Sequence, residues 1–322
     1  SQTFSKSLLQ YPRSFSPQFF KKGKGCYLWD VDNNKYIDLV SALLPIILGY
    51  SDIDVNREIK KQLNNGITFS MPNLLEFKLA KELIKIIPSA EMVKFGKNGS
   101  DVTSAAIRLS RAYTKKDYVI RVGYHGWHEW HIASTTRNKG IPKEYKKLTL
   151  VTKYNDIKAV RKIIDSNKKI AAIILEPMSF ERPINNYLME LRKLCTKNNI
   201  VLIFDEIITG FRFHIGGAQK LFNVTPDLST FGKAIANGMP ISALVGKKKI
   251  MKEMDEIFFS GTFGGECLSI VAALATIEKL KSKKIISKIW KNGAMLKKGI
   301  NQLIKKYDFQ NFLYIKGEDP WF

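Results

Sequence analysis

Residues 200–210 have the sequence Ile-Val-Leu-Ile-Phe-Asp-Glu-Ile-Ile-Thr-Gly, an unbroken apolar run that ends in two carboxylates. A continuous apolar run is typical of a strand covered on both faces, as in a parallel sheet flanked by helices. A second such run, Ile-Ala-Ala-Ile-Ile-Leu, occupies residues 170–175 and is also followed by a carboxylate. The two runs predict an α/β fold with a mainly parallel central sheet.

Strand-like and helix-like patterns alternate on both sides of these runs. Further strands are predicted at Met92–Phe95, Tyr118–Val122 and Leu228–Phe231. Amphipathic or apolar helical patterns occur at Asp54–Leu63, Leu75–Ile86, Asp101–Tyr113, Asp156–Ile164, Tyr187–Lys197 and Leu268–Leu280. This alternation supports the α/β prediction.

The N-terminal part has a different pattern. Residues 24–39 alternate between apolar and polar and are interrupted at Asn33-Asn34, which predicts a hairpin. We expect an N-terminal segment with this hairpin (1–53), a large domain (54–280) and the start of a small C-terminal domain (281–322).

The composition narrows the classes of function. The 322 residues carry a net charge of +23, but the lysines are spread over the whole chain, without a basic tail or a recognisable nucleic-acid-binding module. We interpret the charge as a solvated basic surface that can speed the arrival of anionic substrates. Because the lysines are scattered in this way, we predict no nucleic-acid partner. No run of about eighteen apolar residues occurs, so we also predict no membrane span.

The cysteine pattern and the N-terminal sequence indicate the cellular compartment in which we expect the protein. Cys26, Cys195 and Cys267 are odd in number and far apart, which is not the pattern of a disulfide framework. A reducing cytoplasm is the simpler expectation. No secretory signal pattern is present, although the chain begins with Ser1 rather than Met and we expect a few leading residues to be missing.

In open α/β sheets, ligands bind beyond the carboxyl ends of the strands. Asp205 directly follows the strand predicted at 200–204, where a carboxylate is costly unless it meets a cation, such as a protonated pyridinium nitrogen. The alternative is that Asp205 caps the loop. Lys233 follows the next strand along the chain, at Leu228–Phe231. A lysine in a dry cleft beside a cationic ring has a lowered pKa and can form an imine.

Two glycine-containing loops precede predicted helices. They are residues 97–100, Lys-Asn-Gly-Ser, and residues 261–265, Gly-Thr-Phe-Gly-Gly. Glycine lets a backbone approach a ligand closely, and a helix N-terminus offers free N–H groups and a partial positive charge to a phosphate. Both loops are candidate phosphate sites. For the first, the alternative is an ordinary helix cap with Ser100 as the N-cap.

Aromatic residues and histidines follow the strand at Tyr118–Val122. Residues 123–131 have the sequence Gly-Tyr-His-Gly-Trp-His-Glu-Trp-His, in which Tyr124 is suited to stack on a flat ring. The histidines suggest a metal site as a rival interpretation. Their spacing is three, however, whereas the helical zinc pair is spaced by four with a glutamate between, so we predict no metal.

Glu176 follows the strand at 170–175 and is another carboxylate at a strand end. Such a group either takes part in the site or pairs with a nearby arginine. Both interpretations stay open, and Glu176 is kept as a candidate for substrate or site support.

Two longer stretches carry a family signature. Residues 204–212, Phe-Asp-Glu-Ile-Ile-Thr-Gly-Phe-Arg, and residues 231–238, Phe-Gly-Lys-Ala-Ile-Ala-Asn-Gly, resemble those of class III pyridoxal-phosphate-dependent aminotransferases of fold type I. The resemblance runs from Gly25–Asp32 to the loop at Thr262. It implies a mainly parallel sheet with helices on both faces and a small second domain. It also implies pyridoxal 5'-phosphate as cofactor and a small-molecule amino donor and keto acceptor as substrates.

The resemblance also implies roles for the candidates. Lys233 would hold the cofactor as an internal aldimine and then move the proton between the substrate Cα and the cofactor, while Asp205 would keep the ring nitrogen protonated. A homodimer with shared active sites would be the active unit. The further cofactor contacts implied are Tyr124 and Ile207 on the two ring faces, Gly99 and Ser100 at the phosphate, His125, and Thr262 at the phosphate of the partner subunit.

Within the family, the chain resembles glutamate-1-semialdehyde 2,1-aminomutase and its aminotransferase relatives of polysaccharide pathways. Residues 98–101, Asn-Gly-Ser-Asp, stand where the aminomutase normally has Ser-Gly-Thr-Glu, and Leu43 stands where it has a tryptophan. These departures favour an aminotransferase that uses an amino-acid donor and a keto or aldehyde acceptor. The aminomutase, which moves the amino group within one molecule in tetrapyrrole synthesis, is the alternative.

Two further expectations concern completeness and catalysis. Members of the family normally continue beyond the last residue here, so we expect the small C-terminal domain to be incomplete. A non-catalytic scaffold with this fold is a third hypothesis, which the presence of both Lys233 and Asp205 disfavours.

Overall fold

A computed structural model describes residues 3–7, 9–13 and 15–322, which form two sheets. The strands of the small sheet are β1 (Phe20–Lys24), β2 (Tyr27–Asp30) and β3 (Lys35–Ile37). They pair antiparallel in chain order. Asn33, in the turn between β2 and β3, has a left-handed φ of 69°, as hairpin turns require. The predicted hairpin is confirmed, with β1 as an additional strand.

The large sheet is the centre of the molecule. Its strands are β4 (Met92–Gly96), β5 (Tyr118–Val122), β6 (Thr149–Val151), β7 (Ile170–Leu175), β8 (Val201–Asp205), β9 (Leu228–Phe231) and β10 (Ser242–Gly246). Their order is β4-β10-β9-β8-β7-β5-β6. The pairs among β5 to β9 are parallel, whereas β10 runs antiparallel to β9 and β4. The mainly parallel sheet is confirmed; β6 and β10 are not predicted, because neither has a long apolar run.

The helices connect the strands. They are α1 (Ile53–Leu63), α2 (Leu74–Ile86), α3 (Gly99–Thr114), α4 (Glu129–Ile132), α5 (Lys143–Lys147), α6 (Ile157–Ser166), α7 (Tyr187–Asn198), α8 (Ala218–Leu221), α9 (Lys248–Met251), α10 (Cys267–Ser282) and α11 (Ile285–Lys306). Short 3₁₀ helices occupy Phe4–Lys6, Lys233–Ala236 and Lys252–Asp255. All six helices expected from the sequence are present, with ends that differ by at most two residues.

Helices cover both faces of the large sheet, because successive strand residues point to opposite sides. On β8, Ile203 packs into a buried cluster with α3, whereas its neighbour Leu202 packs into a cluster with α6 and α7. On β10, Ala243 and Val245 pack with α2 and α10. This alternation explains why the central strands are apolar throughout, and it confirms the α/β architecture with helices on both faces.

The three-part division of the chain stays a prediction. The small sheet lies within the proposed segment 1–53, and α11 lies within the proposed C-terminal part, 281–322. Across the described residues, no helix is both long enough and apolar enough to cross a membrane.

Candidate active site

The carboxyl ends of β4, β5, β7, β8 and β9 meet at a cleft of about 730 Å³. This position is where ligands bind in open α/β sheets, and the volume suits a small molecule. Most residues predicted from the sequence line this cleft, namely Gly99, Ser100, Tyr124, His125, Glu176, Asp205, Ile207 and Lys233. Thr262 is not among the described lining residues; it is exposed, in the loop before α10.

Lys233 lies directly beyond the end of β9, at the start of a 3₁₀ helix. Its φ of 41° is left-handed, a strained conformation for a residue with a Cβ that is often found at functional sites. Burial lowers the pKa of its amine, although the carboxylates of Asp205 and Glu176 act in the opposite direction. Within the described residues, the amine forms no hydrogen bond or ion pair. It is therefore available for covalent chemistry.

Asp205 is held by three neighbours and is 4% exposed. One carboxylate oxygen accepts hydrogen bonds from the backbone N–H of Ile207 at 3.1 Å and the hydroxyl of Thr230 at 3.3 Å. The other oxygen lies 2.8 Å from Nδ1 of His125. Both interpretations of Asp205 therefore hold in part: it caps the loop after β8, and it lines the cleft as an oriented carboxylate.

The three histidines of the 123–131 stretch have separate environments. His125 is buried beside Asp205. Nδ1 of His128 lies 2.7 Å from the hydroxyl of Ser104. His131 is buried, its ring packs edge-on against Tyr124 at 5.2 Å, and burial lowers its pKa to about 3. Among the described residues, no group of three metal-ligating side chains is close enough to hold an ion.

The predicted phosphate loop, residues 97–100, leads into α3, but the residue that caps this helix is not Ser100. The helix starts at Gly99 with Asn98 as its N-cap, so the alternative interpretation, with Ser100 as the N-cap, is wrong. The reason is the carboxylate of Asp101, which accepts a hydrogen bond from the backbone N–H of Asn98 at 2.7 Å and closes the turn earlier. The hydroxyl of Ser100 instead accepts from the backbone N–H of Trp127 at 3.2 Å.

Two glycines allow the segments of the cleft to approach closely. A Cβ at Gly99 would lie 3.2 Å from the side chain of Ile207, and a Cβ at Gly126 would lie 2.4 Å from the hydroxyl of Ser100. Gly126 also has a left-handed φ of 103°, which glycine adopts without strain. The N-terminus of α3 therefore meets the cleft without an intervening side chain, as an anion site requires.

Glu176 lines the cleft at the end of β7. Burial, and then repulsion by Asp205, raise the pKa of its carboxyl to about 7. In the described structure it forms no ion pair with an arginine. The geometry favours the interpretation that Glu176 supports the site, near the amine of Lys233.

Other side chains at the site are missed by the sequence analysis. Thr230 binds Asp205, and the hydroxyl of Thr103 donates to the backbone oxygen of His125 at 2.8 Å. A polar residue inside the buried strand β9 is the signal that points to Thr230. Leu39, Val40, Leu44, Pro45, Trp321 and Phe322 also line the cleft, and no sequence motif marks them.

Comparisons with known sequences agree with this geometry. The family described as "Aminotransferase class-III" matches residues 11–317. Glutamate-1-semialdehyde 2,1-aminomutase from Francisella philomiragia is 38% identical over 312 residues, which cover 91% of this chain and 72% of the relative. The 3-aminobutyryl-CoA aminotransferase from Cloacimonas acidaminovorans is 40% identical over 299 residues, which cover 90% of this chain and 72% of the relative.

The fold also matches a solved structure. The pyridoxal-phosphate internal aldimine form of the FumI protein from Sphingopyxis sp. MTA144 superposes with a TM-score of 0.89 at 28% identity, over 94% of this chain and 74% of that protein. The fold expected from the sequence resemblance is therefore confirmed. By its sequence match over residues 11–317, supported by this fold, the chain belongs to the class III aminotransferases.

Proposed function

We propose that this protein is a pyridoxal-phosphate-dependent aminotransferase that moves an amino group from an amino-acid donor to a keto or aldehyde acceptor. One observation carries the proposal: Lys233 and Asp205 stand at the ends of adjacent strands in one cleft, a free amine and an oriented carboxylate. These are the two side chains that pyridoxal-phosphate chemistry needs, one for attachment and one for the ring nitrogen.

The residues of the cleft fit this cofactor at several points. The amine of Lys233 suits the aldehyde, the carboxylate of Asp205 suits the ring nitrogen, and the glycine-opened N-terminus of α3 suits the phosphate. Tyr124 is 63% exposed and lines the cleft, where a flat ring can stack on its side chain. When bound, pyridoxal phosphate supplies an aldehyde that takes up amines and a ring that withdraws electrons from the reacting carbon.

The surroundings of each residue in the cleft support a role for it in the proposed reaction. Burial lowers the pKa of the Lys233 amine, so a larger fraction of it is unprotonated and able to bind the cofactor carbon. After a substrate amine displaces it, the same amine would move the proton at the substrate Cα. Asp205 would accept a hydrogen bond from the ring nitrogen and hold its proton there. Ile207 and Tyr124 would enclose the ring, and Gly99 and Ser100 would bind the phosphate.

We further propose a homodimer with shared active sites and a cytoplasmic location. Thr262 is exposed and is not among the described residues of its own cleft, which suits a contact with the phosphate of the partner subunit. Mixing inactive Lys233→Ala with Thr262→Ala should then raise activity, because one site of each hybrid regains both residues. No gain on mixing, or an active cofactor-loaded monomer by light scattering, would contradict the dimer. Free cysteines, such as buried Cys195, suit a reducing compartment.

The aminomutase is the alternative reaction, favoured by the relative of that name that is 38% identical. Leu43 in the cleft, where the aminomutase normally has a tryptophan, favours the aminotransferase. The test supplies glutamate as donor and follows 2-oxoglutarate release with a panel of keto and aldehyde acceptors. Glutamate-1-semialdehyde is tested separately. We expect net transfer to at least one acceptor; efficient formation of 5-aminolevulinate with no transfer to any acceptor would establish the aminomutase instead.

A further inference from the structure

Lys97 is the first residue of the candidate phosphate loop, residues 97–100, and it lines the cleft together with the other three residues of this loop. Two lysines and no arginine are among the described residues that line the cleft. The other lysine, Lys233, is proposed to bond to the cofactor carbon. Arg212 is buried, donates to the backbone oxygen of Leu44 and is not among these lining residues. Lys97 is therefore the lysine that remains to meet an anion in the cleft.

The amine of Lys97 is held by two residues at the start of α10. Its Nζ donates to Oε2 of Glu266 at 2.9 Å and lies 3.4 Å from the hydroxyl oxygen of Ser269, to which it also donates. A lysine ammonium has three N–H donors, and within the described part of the chain the third has no partner. The amine is thus fixed in position, with one donor left for a ligand.

The charge of Glu266 is balanced by more than Lys97. Glu266 is the N-cap of α10, and its Oε1 accepts a hydrogen bond from the backbone N–H of Leu268 at 2.6 Å. The N-terminus of a helix carries a partial positive charge of about half an elementary charge. Because α10 offsets part of the charge of the carboxylate in this way, part of the positive charge of Lys97 stays available to a second anion.

The N-terminus of α3 by itself supplies too little charge for a phosphate group. A phosphate monoester carries about −1.5 to −2 charges at pH 7, whereas a helix N-terminus supplies about +0.5. The carboxylate of Asp101 also occupies two N–H groups of the loop, those of Lys97 at 3.1 Å and Asn98 at 2.7 Å, and leaves those of Gly99 and Ser100 to a ligand. A phosphate at this end of the cleft therefore needs a cationic side chain, and Lys97 belongs to the same loop.

We propose that Lys97 is a further ligand of the cofactor phosphate, and that Glu266 holds its amine in place for this contact. The same amine would make the site prefer a phosphorylated cofactor to the unphosphorylated form. This inference rests on the proposed function and adds a charged side chain to the cofactor site.

The test measures the affinity of the cofactor-free protein for pyridoxal phosphate and for pyridoxal, by absorbance titration. Both have the aldehyde that suits Lys233, but only the first has the phosphate, so the ratio of their dissociation constants isolates the phosphate contacts. We expect tighter binding of pyridoxal phosphate by the wild type, and a preference that is roughly tenfold or more smaller in Lys97→Met. Lys97→Arg keeps the charge and should keep most of the preference. Lys94→Met, at an exposed lysine of β4, is the control.

Glu266→Gln separates phosphate binding from simple support of the loop. The amide keeps an acceptor for Lys97 and removes a negative charge, so the preference should stay at the wild-type level or rise. An equal loss of preference in Glu266→Gln and Lys97→Met, or the wild-type preference in Lys97→Met, would overturn the inference alone. If Lys97→Met does not fold, Lys97→Gln takes its place, because it keeps a donor to Glu266 without the charge. A wild-type protein that does not bind pyridoxal phosphate more tightly than pyridoxal would overturn the proposed function as well.

Discussion

Nδ1 of His125 lies 2.8 Å from Oδ2 of Asp205, in the interior of the cleft. The other ring nitrogen of His125 lies 2.9 Å from the backbone oxygen of Val122. A carbonyl oxygen only accepts, so Nε2 carries a proton and donates it. A second proton must then lie between Nδ1 and the carboxylate, on one partner or the other. His125 therefore fixes the orientation of the group proposed to meet the cofactor.

The first prediction is that His125→Leu lowers turnover by roughly tenfold to a hundredfold, since Asp205 loses an oriented partner in a buried site. His125→Asn keeps a donor and should retain more activity. Turnover and cofactor affinity, by absorbance titration, are the measurements. His128→Asn is the control, because His128 contacts Ser104 and is not among the described residues of the cleft. Equal activity of His125→Leu and the wild type would contradict this role.

The second prediction concerns Asp205→Asn. An amide cannot balance the charge of a protonated ring nitrogen, so we expect turnover to fall by about a hundredfold or more while Lys233 still binds the cofactor. Steady-state kinetics and the absorbance of bound cofactor separate the two effects. The exposed Asp117→Asn should change neither. Unchanged turnover with bound cofactor in Asp205→Asn would be incompatible with the proposed mechanism.

The third prediction is a pH dependence due to Glu176. Burial raises the pKa of this carboxyl from 4.5 to about 7, so folding favours its neutral form. The stability contributed by Glu176 is therefore present below pH 4.5 and is lost as the pH rises through about 7. In cofactor-free protein, Glu176→Gln should gain about 1–3 kcal/mol in unfolding free energy relative to wild type between mildly acidic and mildly basic pH.

Urea unfolding at a series of pH values measures this difference. Glu144→Gln, at an exposed glutamate, should show no such trend. A difference between Glu176→Gln and wild type that stays constant with pH would mean that Glu176 titrates normally in the folded protein.

The fourth prediction tests, through stability, whether the left-handed backbone of residues 41–44 is strained. Glycine adopts the φ of 55° at Ala42 without crowding, so Ala42→Gly should leave the unfolding free energy nearly unchanged or raise it. The matched variant Ala294→Gly, at an exposed position within α11, should lose about 1 kcal/mol. Urea unfolding of both measures the contrast. Equal losses in the two variants would show that Ala42 is not strained.

Part of the site follows from the sequence because it depends on local patterns. The apolar runs place β7 and β8, and the residues after them, Glu176 and Asp205, must lie at one edge of a parallel sheet. Lys233 is found in the same way from the end of β9. Local patterns also locate the N-terminus of α3, although the alternative in which Ser100 caps it fails, because the competing carboxylate of Asp101 closes the turn first.

The rest depends on contacts between residues that are far apart in the chain. The left-handed turn at 41–44 is held by Arg212, 168 positions from Leu44, and no local pattern reveals it. The antiparallel strand β10 pairs with β9 and β4, which only the assembled sheet shows. The apolar part of the cleft lining has the same origin, because it combines Leu43, Leu44 and Pro45 with residues as distant as Trp321.

The central claim is that Lys233 is the attachment point of pyridoxal phosphate. Incubation of the protein with the cofactor, borohydride reduction to fix the bond between the cofactor and lysine, and peptide mapping by mass spectrometry test it directly. Lys97 also lines the cleft and serves as the internal comparison. The account predicts a pyridoxyl group on Lys233 and an unmodified Lys97; a label on Lys97 or on any other lysine, with Lys233 unmodified, would contradict it.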